Sequence, residues 1–335
     1  MAQQHTVLVL GAGSWGTALA LVLARNQHNV LLWGHRAEHI AAIQTERQNT
    51  QYLPNISFPP NLTATTDLSQ AVANADEIIV VVPSHAFRDT LEKIAPDLQS
   101  HARICWATKG LEYKTGLLLH DVARDTLGSH YPLAVLSGPS FAAEVAKDLP
   151  TAVTVASDNK DYAQALVRLF HNQNFRPYTS DDIIGVELGG AIKNIMAIAA
   201  GIADGLGLGA NTRAALITRG LTEMVRLGLA LGGHQGTFMG LAGLGDLMLT
   251  CTDNQSRNRR FGYALAQGDS IETAQDNIGQ VVEGARAAQE VFRVAQKLQI
   301  DMPIVEQVAS VLTKQCTAQD AVQALLSRQP KQERL

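Results

Sequence analysis

A single lysine, Lys193, stands inside the small-residue, apolar run Glu187-Leu188-Gly189-Gly190-Ala191-Ile192-Lys193-Asn194-Ile195-Met196. Taking an ammonium group out of water disfavours its charged form, so a lysine in such a setting can trade a proton near neutral pH. The spacing leaves a second reading open, in which the stem packs and the head snorkels to water. Asn194 beside it either orients a ligand or closes a local hydrogen bond. Asp246, within Leu241-Ala242-Gly243-Leu244-Gly245-Asp246-Leu247, is a lone carboxylate in a glycine-rich segment and needs a cation or donor as partner. It could steady a lysine, hold a substrate hydroxyl, or cap the helix that runs through Leu249. Further on, Asn254-Gln255-Ser256-Arg257-Asn258-Arg259-Arg260 sets three arginines into four positions. Ser256 suits a helix N-cap, and a helix start would add amide donors to the guanidinium groups, the combination that holds a phosphate. The competing reading is a solvated, charged helix face. Val281-Val282-Glu283-Gly284 is another apolar-to-acidic break that says little alone.

A different chemistry is written at the start of the chain, where Gly11-Ala12-Gly13-Ser14-Trp15-Gly16 follows the apolar run Thr6 to Leu10 and precedes Leu19, Val22 and Leu23 at helical spacing. Strand, tight turn and helix in that order form a dinucleotide-binding turn: Gly11 serves the turn, Gly13 the approach of the pyrophosphate, and Gly16 the packing of helix on strand. About 20 residues on, an NAD site would place a carboxylate on the ribose. This chain has Trp33-Gly34-His35-Arg36 there. Arg36 can fork a phosphate and His35 can add a ring face or a donor, so NADP(H) is expected to be preferred over NAD(H). Otherwise Arg36 is a solvated charge with Glu38 as its partner.

These residues need a framework. At 335 residues the chain has room for two domains, each with its own core. Short β-rich runs, Thr6 to Leu10, Asn29 to Trp33, Glu77 to Val82, Arg103 to Ala107, Leu133 to Ser137 and Ala152 to Ser157, alternate with helical ones. That alternation predicts an α/β fold: an N-terminal Rossmann-type, doubly wound, mostly parallel sheet. Punctuation at the carboxyl ends (Val82-Pro83-Ser84-His85, Thr108-Lys109-Gly110, Ser137-Gly138-Pro139-Ser140) marks one cleft wall, because open α/β sheets bind ligands there. From about Asp181 the texture turns helical, so an all-helical C-terminal domain is expected. The boundary is placed at Ile184, giving a dinucleotide-binding domain over 1–184 and a substrate-binding domain over 185–335, with Phe175 to Thr179 as a further candidate strand. The polar tail Ser327 to Leu335 is expected to fray.

Composition narrows the function classes. With 46% hydrophobic and 17% charged residues the chain reads as globular rather than disordered. A net charge of −4 argues against a general nucleic-acid binder. Cys105, Cys251 and Cys316 are far apart and lack metal-ligand spacing, so neither a disulfide framework nor a metal site is expected. The strand that starts at Thr6 leaves no room for a secretion signal ahead of it, and the apolar stretch Ile195 to Ala203 is too short to span a bilayer. A cytoplasmic protein without stable membrane insertion is the expectation.

The ordered segments Gly11 to Gly16, Trp33 to Arg36, Val82 to His85, Ala107 to Gly110, Ser137 to Phe141, Gly189 to Asn194, Gly243 to Asp246 and Leu249 to Arg260 closely resemble bacterial NAD(P)-dependent glycerol-3-phosphate dehydrogenases. The resemblance extends over nearly the whole chain. It implies that Lys193 donates or accepts the proton, with Lys109 and Asp246 beside the substrate. It implies that Ser256, Arg257 and Asn258 grip the phosphate, with Gly138, Ser140 and Asn194 in the same site. The cofactor would meet Ser14, Trp15, His35, Arg36, Lys109 and Ala142, and Arg257, Val281 and Glu283 from the helical half. Dihydroxyacetone phosphate and sn-glycerol 3-phosphate would be the substrates, in supply of phospholipid synthesis; a homodimer is an expectation with no residue behind it. Two rivals stand beside this reading. A β-hydroxyacid dehydrogenase also pairs such a first domain with a lysine and asparagine on a helix, but a carboxylate needs one arginine fork rather than a phosphate grip. A non-catalytic NADP(H) sensor would use the fold only to bind.

Overall fold

Strand β1 (Thr6–Leu10) is buried along its length, and the reason is its period of two: Val7 and Val9 pack with Leu19 and Leu23, while the equally buried Leu8 and Leu10 point to the opposite face. The computed structural model describes residues 5–329 and 332, so most of the tail Ser327 to Leu335 lies outside the described residues. The other strands are β2 (Asn29–Trp33), β3 (Gln48–Asn49), β4 (Leu53–Ser57), β5 (Leu62–Thr65), β6 (Glu77–Val80), β7 (Arg103–Trp106), β8 (Leu133–Ser137), β9 (Thr151–Ala156) and β10 (Phe175–Ser180). Eight of them form one sheet in the order β10-β9-β8-β7-β6-β1-β2-β5, flanked by helices. All pairings are parallel except β8 with β9, so β9 and β10 run against the rest. The strand order reverses between β1 and β6, and the glycine turn leaves the sheet at that switch point.

Two elements differ from expectation. The short edge strand β5 alternates apolar and polar residues over only four positions, too few to stand out, and the β3/β4 hairpin carries no apolar alternation, with Pro54 in β4, which only an edge or irregular pairing tolerates. The strands expected to reach Val82 and Ala107 end at Val80 and Trp106, which lengthens the loops above them.

By its internal packing the chain forms two units: the chain up to Thr108 together with Leu119–Ile183, and Lys109–Leu118 together with the chain from Ile184 onward. The loop Lys109–Leu118 therefore goes with the helical unit, whereas a single cut at residue 184 assigns it to the sheet. Leu111 and Leu118 explain this, since both are buried in the core that Leu188, Ile192, Ile195, Phe238 and Phe261 form. The spine of that unit is the helix Ile183–Gly205, 23 residues long and apolar enough by length and composition to cross a bilayer, which exceeds the short stretch read from the sequence. Of its most apolar window 94% is buried inside the protein, which makes it a core helix. Lys193 sits at its middle.

Candidate active site

In the sheet unit, Gly11 has φ +120°, and a Cβ there would stand 2.6 Å from the carbonyl oxygen of Val81. A Cβ on Gly16 would meet the Gly11 carbonyl oxygen at 1.9 Å, so this glycine lets the helix Ser14–Arg25 close onto the turn. Gly13 is different: a Cβ would touch nothing within 4 Å, so the protein's own packing does not require glycine there. It is the helix N-cap and supplies no side-chain cap to the first-turn amides. The buried indole Nε1 of Trp15 has no hydrogen-bond partner. An open side at Gly13, uncapped amides and an orphaned donor fit a bound dinucleotide whose pyrophosphate faces the helix start.

Arg36, at the N-cap of Ala37–Glu46, donates from Nη2 to Gln51 Oε1 at 3.0 Å and to the Tyr52 hydroxyl at 2.9 Å, with its guanidinium 5.8 Å from the Tyr52 ring centre. Its partners are thus on the β3/β4 hairpin rather than Glu38. His35 beside it is exposed. Ser14 Oγ donates to the Tyr52 carbonyl at 3.1 Å, so the same hairpin braces both ends of this face. Above β8, Gly138 has φ +151°, Ser140 Oγ donates to its carbonyl at 2.9 Å, and Ala142 opens the helix Ala142–Ala146.

In the helical unit one buried carboxylate gathers two lysines. Lys193 Nζ donates to Asp246 Oδ1 at 2.5 Å, and Lys109 Nζ donates to Oδ2 at 2.7 Å. Asp246 is 1% exposed and Lys193 7%. Burial is the largest influence on Lys193 and pulls its pKa down to about 7; Asp246 pulls back and the Lys109 charge adds to the fall. For Asp246 burial pushes the other way, yet the charges and hydrogen bonds of the two lysines win and hold its carboxyl below the usual range. The Lys193 head does not snorkel to water but turns to a buried carboxylate and the Thr250 hydroxyl. Close backbone approach builds this arrangement. A Cβ on Gly189 would fall 2.3 Å from the Ala242 carbonyl oxygen, so glycine lets the Lys193 helix lie against the π-helical turn Leu241–Gly245 that delivers Asp246.

The arginine cluster divides. Arg259 binds Asp204 through Nε at 3.1 Å and Nη2 at 2.5 Å, where Arg213 also pairs, and Arg260 is exposed. Arg257 is half-buried near the helix start, one N–H donating to Gln280 Oε1 at 2.9 Å. Burial lowers its pKa, opposed by the nearby Glu283 carboxylate. Ser256 is the N-cap of Arg257–Ala266, its Oγ accepting from the Arg259 amide at 3.2 Å. Asn258 donates to Asn194 Oδ1 at 3.0 Å and accepts from the Gly284 amide at 2.9 Å, so the two asparagines clasp three helices. Glu283 is the first residue of the helix Glu283–Lys297, and Val281 ahead of it is exposed. No group of three or more His, Cys, Asp or Glu side chains gathers among the described residues.

Sequence reasoning passed over Thr250, whose Oγ1 donates to the Asp246 carbonyl at 2.6 Å and accepts from Lys193 Nζ at 3.0 Å. Its position four residues after Asp246 on one helix was the available signal. Tyr52, Gln51 and Gln280 offered none, because their partners are far off in sequence.

Comparison with known proteins places both halves of the chain in one family. The model of the NAD-dependent glycerol-3-phosphate dehydrogenase N-terminus matches residues 6–163, and that of the C-terminus matches residues 182–323. A glycerol-3-phosphate dehydrogenase (NAD(P)+) of Psychromonas ingrahamii is 57% identical over 99% of this chain and 100% of its own length. Its counterpart in Vibrio cholerae is 56% identical over 97% of this chain and 95% of its own length. The crystal structure of glycerol-3-phosphate dehydrogenase from Coxiella burnetii superposes with a TM-score of 0.95 at 52% identity, covering 97% of this chain and 99% of that one. With matched family models on both halves and relatives this similar along their full length, the chain belongs to the NAD-dependent glycerol-3-phosphate dehydrogenase family.

Proposed function

We propose that this chain interconverts dihydroxyacetone phosphate and sn-glycerol 3-phosphate with NAD(P)H, using Lys193 as the general acid in reduction and the general base in oxidation. The observation that carries the reading is the buried carboxylate of Asp246 shared by Lys193 and Lys109. Residues 1–184 bind the dinucleotide and 185–335 the substrate, with Lys109 counted among the substrate ligands. The Gly11 to Gly16 turn would hold the pyrophosphate of the dinucleotide, whose nicotinamide would supply the hydride for the ketone carbon. Two of the three Lys193 N–H groups are committed to Asp246 and Thr250, which leaves one for the carbonyl oxygen. Lys109 and Lys193 together stabilise negative charge developing on that oxygen. Lys193 then gives up its proton, as a pKa near 7 allows. Arg257, Asn258 and the helix start capped by Ser256 hold the phosphate, with Gly138, Ser140 and Asn194 completing the substrate contacts. Supply of phospholipid synthesis in the cytoplasm is the setting that fits this chemistry.

The test is NADPH oxidation with dihydroxyacetone phosphate, followed across pH. Reduction needs protonated Lys193, so kcat/KM is expected to fall as pH rises through about 7, while oxidation of glycerol 3-phosphate falls as pH drops through the same value. No turnover with these substrates, or the same limb in both directions, overturns the reading.

Arg36 in place of a ribose-binding carboxylate points to NADP(H) as the preferred nucleotide, held through the 2′-phosphate by Arg36 and His35. Arg36→Ala is expected to raise KM for NADPH by about tenfold or more, a charge-assisted contact being lost, with KM for NADH little changed. An unaltered ratio of the two cofactors removes Arg36 from this role.

A further inference from the structure

Lys109 reaches Asp246 from the loop Lys109–Leu118, and that loop has a second anchor far from the reacting groups. Arg293 Nη1, on the helix Glu283–Lys297, donates to the Lys114 carbonyl at 3.1 Å and to Glu290 Oε2 at 2.9 Å. We infer that Glu290 and Arg293 form a clamp which positions Lys109 for the reaction by fixing the Lys109–Leu118 loop to the helical unit. The inference rests on the proposed role of Lys109 and Lys193, and it concerns residues that touch neither substrate nor cofactor.

Three features of the clamp are hard to explain as stability alone. Glu290 is 2% exposed and its Oε1 is buried without a hydrogen-bond partner. A carboxylate so placed costs desolvation that an apolar side chain of like size would avoid, so its presence points to a task that needs the charge. That task is to aim Arg293, whose own side chain is 42% exposed and would otherwise sample many rotamers. Arg293 in turn meets a backbone carbonyl at the loop's tip, where Lys114 has φ +71°, a left-handed conformation that a non-glycine residue holds only when its surroundings impose it. The loop is also braced within itself: Gly116 N donates to the Glu112 carbonyl at 3.0 Å, and Thr115 Oγ1 to Glu112 Oε2 at 2.6 Å. Leu111 and Leu118 are buried towards its two ends, so the Lys114 tip is the stretch between these anchors that Arg293 holds, on the same short loop as Lys109.

The consequence is electrostatic. The titratable groups that act on Lys193 are Asp246 and the buried thiol Cys251 from the helix Asp246–Thr252, and Lys109 from the loop. Burial keeps Cys251 protonated, its pKa pushed up to about 12, so the two movable influences are Asp246 and Lys109. Lys109 lowers the pKa of Lys193, and a loosened loop withdraws that influence.

The experiment titrates the lysine side chains of the free enzyme by carbon-13 NMR, assigning Lys193 by its loss in Lys193→Met, and compares the wild type with Arg293→Met and Lys109→Met. Lys109→Met is expected to raise the Lys193 midpoint by about one pH unit or more, and Arg293→Met to raise it in the same direction by part of that amount. Arg293→Lys should restore most of the wild-type value, since a primary ammonium can still bridge the two oxygens. The alkaline limb of ketone reduction should move with the NMR midpoint. Glu290→Gln combined with Arg293→Met removes the risk that a bare buried carboxylate unfolds the protein, and it should show the same shift. An unmoved Lys193 midpoint in these Arg293 variants, alongside a shift in Lys109→Met, overturns the clamp and leaves the proposed reaction standing. A Lys193 that titrates normally in the wild type instead strikes at the acid–base assignment itself.

Discussion

Lys193→Met is expected to lower kcat for ketone reduction by about 10²- to 10⁴-fold, the usual worth of a positioned general acid, while NADPH affinity is unchanged. Methionine copies the unbranched stem and fills the same apolar environment between Ile192 and Ile195. Asp246 keeps Lys109 at 2.7 Å, so the carboxylate is not left bare and the fold is retained. What disappears is the proton donor beside Asp246 whose ionisation is poised near neutrality. Stability supplies an independent sign check. A lysine with a folded pKa of about 7 against 10.5 binds fewer protons folded than unfolded between those values, so it makes the wild type gain stability as pH rises across that window. The variant should lose this slope in denaturant melts taken across the window. Steady-state kinetics with a separate fluorescence titration of NADPH checks the first claim, and near-normal turnover refutes the acid–base role.

The two halves of this protein differ in how openly their sequence states the structure. Strands β1, β6 and β8 are legible because they are buried on both faces and nearly continuously apolar, and the glycine turn is legible because backbone geometry leaves no other residue type at Gly11 and Gly16. The hairpin that holds Arg36 is not, since the apolar residues of its strands, Leu53 and Ile56, fall three apart and do not alternate. In the helical half Lys193 and Asp246 announce themselves as charges in apolar surroundings, but their meeting depends on Gly189 against the Leu241–Gly245 turn, a tertiary contact across the length of one helix and a loop. The arginine run misleads for the same reason. Arg257, Arg259 and Arg260 look alike in sequence, and only the position of Asp204 on another helix sorts the ion-paired Arg259 from Arg257, which bonds the Gln280 side-chain oxygen instead. Likewise the assignment of Lys109–Leu118 to the helical unit rests on two leucines whose partners lie beyond Ile184.

Asp246→Asn is expected to be nearly as damaging as loss of Lys193, but with a different pH signature. Asparagine keeps the volume and one acceptor, yet its amide N–H groups face a lysine that itself only donates, so one of the two ammonium groups loses its hydrogen bond. The negative charge that holds up the pKa of Lys193 is gone, while burial and the Lys109 charge, which pull it down, remain. A fall of about two further pH units for a buried lysine without its counter-charge means that at about pH 7.5 the protonated fraction should drop by roughly 10²-fold and ketone reduction with it. Lowering the pH towards 6 refills that proton and recovers part of the rate, which Lys193→Met does not permit. In the oxidation direction the neutral amine is the working form, so the variant should lose much less there. If the loss proves equal in both directions and flat with pH, Asp246 acts only by orienting the lysines, and its charge does not tune the proton that Lys193 transfers.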